Sequence, residues 1–313
     1  MAESLSAKNL IVSSGSKTII NNVSVELKKG ELVCLCGPNG SGKSTLLTAL
    51  AGIEATGLKI YAGEEGFLPE IKASDREETA GGEISTSTQN SIPGRQNSTS
   101  QKKSIPSQNS TSTQASISGT QNSIPLKKLP PKERAKKIAY MAQEESSMWD
   151  FTVFDIVLSG RFCYTKNGSY SDQDRLAAQE ALSQLEILHL AQKSVFEISY
   201  GEFQKARIAR TICQAADFML LDEPTANLDF IYEPKLLEIL HGESKKNKGV
   251  LIAIHNINLA ARFADRIILL PPGQKEITGK PKDVFTNQNM KAVFSKEFEF
   301  KIIKKNNLVQ VEI

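Results

Sequence analysis

The sequence has no run of the ~18–20 continuous apolar residues that a bilayer-spanning helix requires. Its start, MAESLSAKNL, lacks the charged-then-apolar order of a secretion signal. A cytosolic chain is expected, with any membrane role passing through a partner. Cysteine is scarce. Cys34, Cys36, Cys163 and Cys213 are the four present, and no Cys/His cluster has the spacing of a zinc site. Cys34 and Cys36 alternate within the strand-like run Leu32–Cys36, so they share one face and read as small buried apolar residues. An excess of one charge is also missing. The 38 basic and 35 acidic residues leave a net charge of +3, which argues against a nucleic-acid binder working through one large basic face.

One segment lacks large apolar side chains. From Ile84 to Pro125 roughly two-thirds of the residues are Ser, Thr, Gln or Asn, and Gln89–Pro93 (QNSIP) recurs as Gln121–Pro125. Such a stretch buries too little apolar area to offset about 1–2 kcal/mol of backbone entropy per residue. Residues 73–125 are therefore expected to be a disordered, low-complexity insertion. The rest is ordinary for a globular protein, 40% apolar and 23% charged over 313 residues. Pro131–Ala139 reads as a basic helix. Ser171–Leu190 reads as a helix from Leu176, Ala177, Leu182, Leu185 and Leu188, with Asp172 suiting its positive end. Phe218–Leu221, Val250–Ile254 and Ile267–Leu270 read as strands buried on both faces. Alternation of strand and helix predicts an α/β core with a largely parallel sheet.

Gly37-Pro38-Asn39-Gly40-Ser41-Gly42-Lys43-Ser44, followed by Thr45, matches G-x-x-x-x-G-K-[ST] between the strand Leu32–Cys36 and a helical stretch Ser44–Gly52. Glycines let backbone N–H groups turn toward phosphate oxygens, and the helix behind adds its positive end. Lys43 supplies a charge for the β- and γ-phosphates, and the Ser44 hydroxyl suits Mg²⁺. Downstream, the strand Phe218–Leu221 ends in Asp222 and Glu223. Acids at the carboxyl end of a parallel strand sit where ligands bind. Asp222 suits Mg²⁺, and Glu223, one residue on, suits a general base for water. Together the two motifs define a nucleotide-hydrolysing P-loop enzyme.

Further motifs narrow the class. Ile198-Ser199-Tyr200-Gly201-Glu202-Phe203-Gln204-Lys205 resembles the L-S-G-G-Q/E signature of ABC ATPases. Gln143 in Ile138–Gln143 resembles their Q-loop glutamine, Asn227-Leu228-Asp229 their D-loop, and His255 their switch histidine. With the phosphate loop and the Asp222–Glu223 pair, these motifs occur in the family's order and cover nearly the whole chain outside 73–125. Phe151–Arg161 and His255–Arg266 are similar to segments of importer ATPases for iron-siderophore, haem and cobalamin.

The resemblance implies a P-loop core with a small antiparallel β subdomain and a helical signature subdomain at about 144–200. It implies Lys43, Glu223 and His255 in catalysis, with His255 on the γ-phosphate, and Ser44, Gln143 and Asp222 on Mg²⁺. Ser199, Gly201 and Glu202 would face ATP held by a second copy, since one chain carries one phosphate loop and one signature. The implied partners are a homodimer mate, a membrane permease that docks on the helical part and, indirectly, an extracytoplasmic binding protein, with no nucleic acid. The implied place is the cytoplasmic face of the membrane. A soluble ABC ATPase acting on ribosomes or DNA is the competing expectation, but such proteins usually carry paired cassettes or long coiled coils, and this chain has one cassette and no heptads.

Two departures stand out. Ser13-Ser14-Gly15 offers no aromatic ring to stack on the base where the family usually has one, and a base–aromatic stack is worth about 1–3 kcal/mol. Tyr200 replaces the first signature glycine, which is expected to crowd a close backbone–phosphate approach and slow closure.

Overall fold

The computed structural model describes residues 3–53, 58–72, 123–145, 147, 149–294, 300–305 and 308–312. The described residues of 1–74 and 122–313 form one compact unit. Most of the low-complexity insertion, at 73–122, lies outside the described residues.

An antiparallel sheet comes first. It is built from β1 (Ser4–Ser14), β2 (Lys17–Lys28), β4 (Leu58–Lys72) and β5 (Ser123–Pro125), in the order β2-β1-β4-β5. The last three residues assigned to the insertion are thus a strand, and Ser123 pairs with Lys72. The chain leaves and re-enters the fold at neighbouring positions, the arrangement in which long insertions disturb a core least.

The main sheet contains β3 (Leu32–Cys36), β6 (Ile138–Met141), β7 (Phe218–Asp222), β8 (Gly249–Ala253), β9 (Arg266–Leu269) and β10 (Ile277–Gly279), in the order β10-β9-β3-β8-β7-β6. All its pairings are parallel except β10 with β9. The strands alternate between two cores, as a period of two residues requires. Leu32, Cys34 and Cys36 face one core with Met219, Leu221, Val250 and Ile252, while Val33 and Leu35 face the other with Phe218, Leu220 and Leu251. Both cysteines are fully buried, and burial raises both thiol pKa values, that of Cys36 to about 12.

Helix α1 (Lys43–Leu50) and the antiparallel sheet cover the second face. The first face is covered by α3 (Val153–Ser159), α4 (Asp172–Gln184), α5 (Tyr200–Cys213), α6 (Tyr232–Lys245), α7 (Ile257–Phe263), α8 (Pro281–Val284) and α9 (Asn287–Val293), with the hairpin of β11 (Lys301–Lys305) and β12 (Leu308–Glu312). Helix α2 (Pro131–Lys137) precedes β6.

Two expected helices are shorter than their sequence pattern. The basic one ends at Lys137, because Ile138 and Ala139 pair with Phe218 and Met219. The amphipathic one starts at Asp172, capped by Ser171 and Asp174, and stops at Gln184, where Glu186 has a φ of 61°. Leu176 and Leu188 are exposed, and the buried stripe is Ala178, Ala181, Leu182 and Leu185.

Candidate active site

Three adjacent parallel strands, β3, β8 and β7, end at one edge of the sheet, the edge where ligands bind in such folds. After β3 the chain turns through Gly40 (φ 76°) and Gly42 (φ 96°) into α1. Side-chain-bearing residues rarely adopt this conformation. At Gly42 there is no room for one either, since an added Cβ would lie 2.6 Å from Ile20 Cδ1. Helix α1 has no side-chain cap and no acid in its first turn, so its N–H groups and positive end remain available to an anion. Lys43 is buried, and its Nζ donates to Gly37 O at 3.0 Å and Pro38 O at 3.2 Å. Burial pushes its pKa down, while Glu223 and Asp222 pull it back.

After β7, Asp222 is 1% exposed, and neither of its carboxylate oxygens has a hydrogen-bond partner of normal geometry. Burial raises its pKa, the nearby Ser44 hydroxyl lowers it, Glu223 adds to the rise, and Lys43 and His255 oppose it. The Ser41 hydroxyl is likewise buried without a partner. Unsatisfied buried polar atoms are costly and uncommon. Here they cluster beside a loop shaped for phosphate.

Glu223 leaves the strand direction with a φ of 49°, its N–H donating to Ala253 O at 3.1 Å. A glutamate in the left-handed region costs on the order of 1–3 kcal/mol and persists only where its surroundings impose it. The turn carries its carboxylate to the mouth of the cleft. There Gln143 Nε2 donates to Oε2 at 3.0 Å, and His255 Nε2 lies 2.5 Å from Oε1. The cleft, about 910 Å³, is lined by Asn39, Gly40, Gly42, Lys43, Ser44 and Thr45 with Gln143, Glu223 and His255. Ser14, Lys17, Thr18, Ile19, Pro272 and Gly273 complete the lining, which has no Phe, Tyr or Trp among the described residues. Gly37, Pro38 and Ser41 complete the loop beneath it.

The signature residues lie elsewhere. Ser199, Gly201 and Glu202 share a separate cavity of about 470 Å³ with Lys205, Asn227, Leu228, Asp229 and Tyr232. Ser199 caps α5, and Glu202 folds back to accept from Ser199 N and Oγ, both at 2.8 Å, which holds its pKa below the usual carboxylate range. Tyr200 lines a different, apolar cavity with Val195, Phe196, Ile198 and Phe203. Its ring is not among the groups lining the cavity of Ser199 and Gly201.

Sequence reading missed one cluster. Arg207, fully buried on α5, donates to Gln204 Oε1 at 2.7 Å, Gln143 O and Glu145 Oε2, both at 3.4 Å, and Ala142 O at 2.5 Å. Arg210 grips Glu145 with two bonds of 2.6 Å. Gln204 Nε2 reaches Pro224 O at 3.2 Å and Glu223 O at 3.4 Å. One face of the signature helix thereby fastens the Gln143 segment to the turn that carries Glu223. No local sequence signal marked it, since the partners of Arg207 on the Gln143 segment lie more than 60 residues away.

A phosphate-binding loop facing an unsatisfied aspartate and a held glutamate, at the carboxyl edge of a parallel sheet, defines a P-loop nucleoside triphosphatase. The chain belongs to the ABC transporter family, whose model matches residues 20–226, and it is an ATP-binding ATPase of that class. It is 30% identical to the hemin import ATP-binding protein HmuV of Pseudomonas fluorescens, over 94% of this chain and 93% of that one. It is 27% identical to the petrobactin import ATP-binding protein FpuD of Bacillus anthracis, over 95% and 88%. Among solved structures, the fold is similar to that of a metal-chelate type ABC transporter in an inward-facing conformation, with a TM-score of 0.65 and 22% identity over 99% and 96% of the two chains. It is also similar to a dimeric ATP-binding cassette bound to ADP and phosphate, with a TM-score of 0.61 and 22% identity over 88% and 98%. No helix among the described residues is long and apolar enough to cross a membrane.

Proposed function

We propose that the chain is the ATP-hydrolysing subunit of an importer for an iron-siderophore, haem or cobalamin, driving a separate membrane permease. The observation that carries the catalytic part is the Glu223 carboxylate held by Gln143 and His255 over the phosphate loop. The importer part is supported by the relatives, which are import ATP-binding proteins for hemin, petrobactin and, in Halobacterium salinarum, cobalamin.

In this reading the amides of Gly37–Thr45 and the start of α1 receive the triphosphate, and Lys43 places its charge on the β- and γ-phosphates. Mg²⁺ fits the residues present. Among the described residues no three His, Cys, Asp or Glu side chains could hold a metal by themselves, but Asp222 offers unpartnered oxygens next to the Ser44 hydroxyl. That is the donor set of an ion completed by phosphates and water, with Gln143 at its margin. Bound there, Mg²⁺ would neutralise charge on the phosphate oxygens. Glu223 takes the proton of the water that attacks the γ-phosphorus, the bond to the β-phosphate oxygen breaks, and His255 and Gln143 orient the accepting carboxylate.

Ser199 and Gly201 at the start of α5 serve the phosphates of a second copy, with the Glu202 carboxylate folded back beside them, so the working unit is a head-to-tail homodimer. The exposed Trp149, Phe151, Phe196 and Phe162 belong to the surface on which the permease docks. In this reading the subunit works at the cytoplasmic face of the membrane, with an extracytoplasmic binding protein as indirect partner and no nucleic acid. Glu223→Gln is expected to keep ATP affinity within about threefold and to lower turnover by about 10²–10⁴. Turnover within tenfold of wild type rejects the assignment. Co-purification with a permease, rather than with ribosomes or DNA, tests the importer half.

A further inference from the structure

His255 lies just beyond β8, and two residues later the chain is already in α7. Asn256 caps that helix, its side chain accepting from Leu259 N at 3.2 Å. Helix α7 is seven residues long. A helix this short is not stable by itself in water, so what it packs against sets its position. It packs on β3, α6, α8 and β12.

The contact with β12 is directional. Val311 N donates to Asn258 Oδ1 at 2.7 Å, and Asn258 Nδ2 donates to Val311 O at 3.1 Å. One side-chain amide is matched donor to acceptor and acceptor to donor against one backbone residue. Only one orientation of the amide satisfies both bonds, and a helix shifted along its axis would break them. The strand on the other side is itself anchored. β12 pairs with β11 in unbroken register from Lys301↔Glu312 to Lys305↔Leu308, and Phe300, Val309 and Val311 are buried in the core that α7 also enters through Ala260 and Ala261.

We propose that Asn258 is a positioning residue for His255: it locks α7 to the β11–β12 hairpin and thereby holds the imidazole against Glu223. The inference rests on the reading of Glu223 and His255 as the hydrolytic pair. Their 2.5 Å contact tolerates little displacement, and misplacing a catalytic group by a fraction of an ångström to an ångström costs one to two orders of magnitude in rate. Asn258 is separated from His255 by only two residues, one of them the helix cap, so a shift of α7 is transmitted to the histidine.

The test is steady-state ATP turnover by the full chain in four forms: wild type, His255→Ala, Asn258→Ala and the double variant. Asn258→Ala is expected to lower kcat about tenfold with KM for ATP changed less than about twofold. In the His255→Ala background the same change is expected to have less than about a twofold effect, because the group it positions is gone. Asn258→Asp, which keeps the acceptor for Val311 N–H, is expected to recover part of kcat, whereas Asn258→Leu is not. Asn258 is exposed, so the variants should fold, and thermal unfolding midpoints check this. Equal loss in both backgrounds, or no loss in either, overturns the proposal and leaves the hydrolytic pair standing. Wild-type kcat in His255→Ala removes the pair and the proposal with it.

Discussion

Two helix N-termini in this molecule are built in opposite ways. Helix α1 begins at Gly42 with no side-chain cap and no acid in its first turn. Helix α5 begins at Ser199 with a complete capping box, and the Glu202 carboxylate sits on its positive end. Capping satisfies free N–H groups internally, while a bare N-terminus must find its partner outside the helix. The first start is arranged for a tightly held anion. The second is complete by itself, and a phosphate brought by another copy would have to bind beside Glu202 or displace it. In the proposed reading one cassette would therefore hold a strong and a weak anion site, which suits a nucleotide that stays on one subunit while the other engages and releases.

The largest effect expected from this comparison is at the bare end. Lys43→Ala should weaken ATP binding about 10–100-fold, the scale of losing a buried charge-assisted contact, as measured with a fluorescent nucleotide. Ser14→Tyr should strengthen binding of ATP at least about fivefold by adding a ring to a wall lined by Ser14, Lys17, Thr18 and Ile19. Side-by-side ATP and GTP titrations check it, and tight adenine-selective binding by wild type would show that the wall already holds the base.

Changes on α5 and at the partners of its side chains should act on stability and on the assembled pair rather than on nucleotide affinity. Glu145→Ala leaves the buried Arg207 without its ionic partner and should lower stability by about 1–2 kcal/mol in urea unfolding at neutral pH. Burial raises the Glu145 pKa, but bonds and charge from Arg210 and Arg207 outweigh that and hold it below the usual 4.5. Its contribution is thus complete above about pH 4.5 and is lost as pH falls through the lower folded-state value. The difference between wild type and Glu145→Ala should shrink on acidification. The smallest effect is at Glu202→Gln. The amide can still complete the box, but the charge is gone, so turnover at high protein concentration should rise by up to about threefold with monomer ATP affinity unchanged. Equal effects of Lys43→Ala and Glu202→Gln on nucleotide affinity would erase the contrast between the two helix starts.

What could be read from the sequence was what lies in short strings. The phosphate loop, Asp222–Glu223 and His255 each follow an apolar run, so strand, turn and chemistry sit within one short stretch of chain. The Arg207 cluster was not legible. Its partners Ala142, Gln143 and Glu145 lie more than 60 residues away, and Arg207 in isolation reads as one more basic residue on a basic helix. The pairing of Asn258 with Val311 spans 53 residues and involves backbone, which leaves no trace in side-chain pattern. Leu176 and Leu188 fit a helical period but are exposed, because Leu176 lies off the buried stripe of Ala178, Ala181, Leu182 and Leu185, and Leu188 lies beyond the helix end at Gln184. The basic helix was overrun by two residues because strand pairing with β7 overrode local preference at Ile138 and Ala139.

The central claim is a geometry: a triphosphate wrapped by Gly37–Thr45, its terminal phosphorus within one water of residue 223, and a second copy's Ser199 above it. A crystal structure of the Glu223→Gln chain with Mg-ATP measures it directly. The account predicts γ-phosphate oxygens within hydrogen-bond reach of Lys43 and of the partner's α5 N-terminus, with a water between residue 223 and the γ-phosphorus. ATP seated away from the loop, or a γ-phosphate too far from residue 223 to share a water with it, would contradict it.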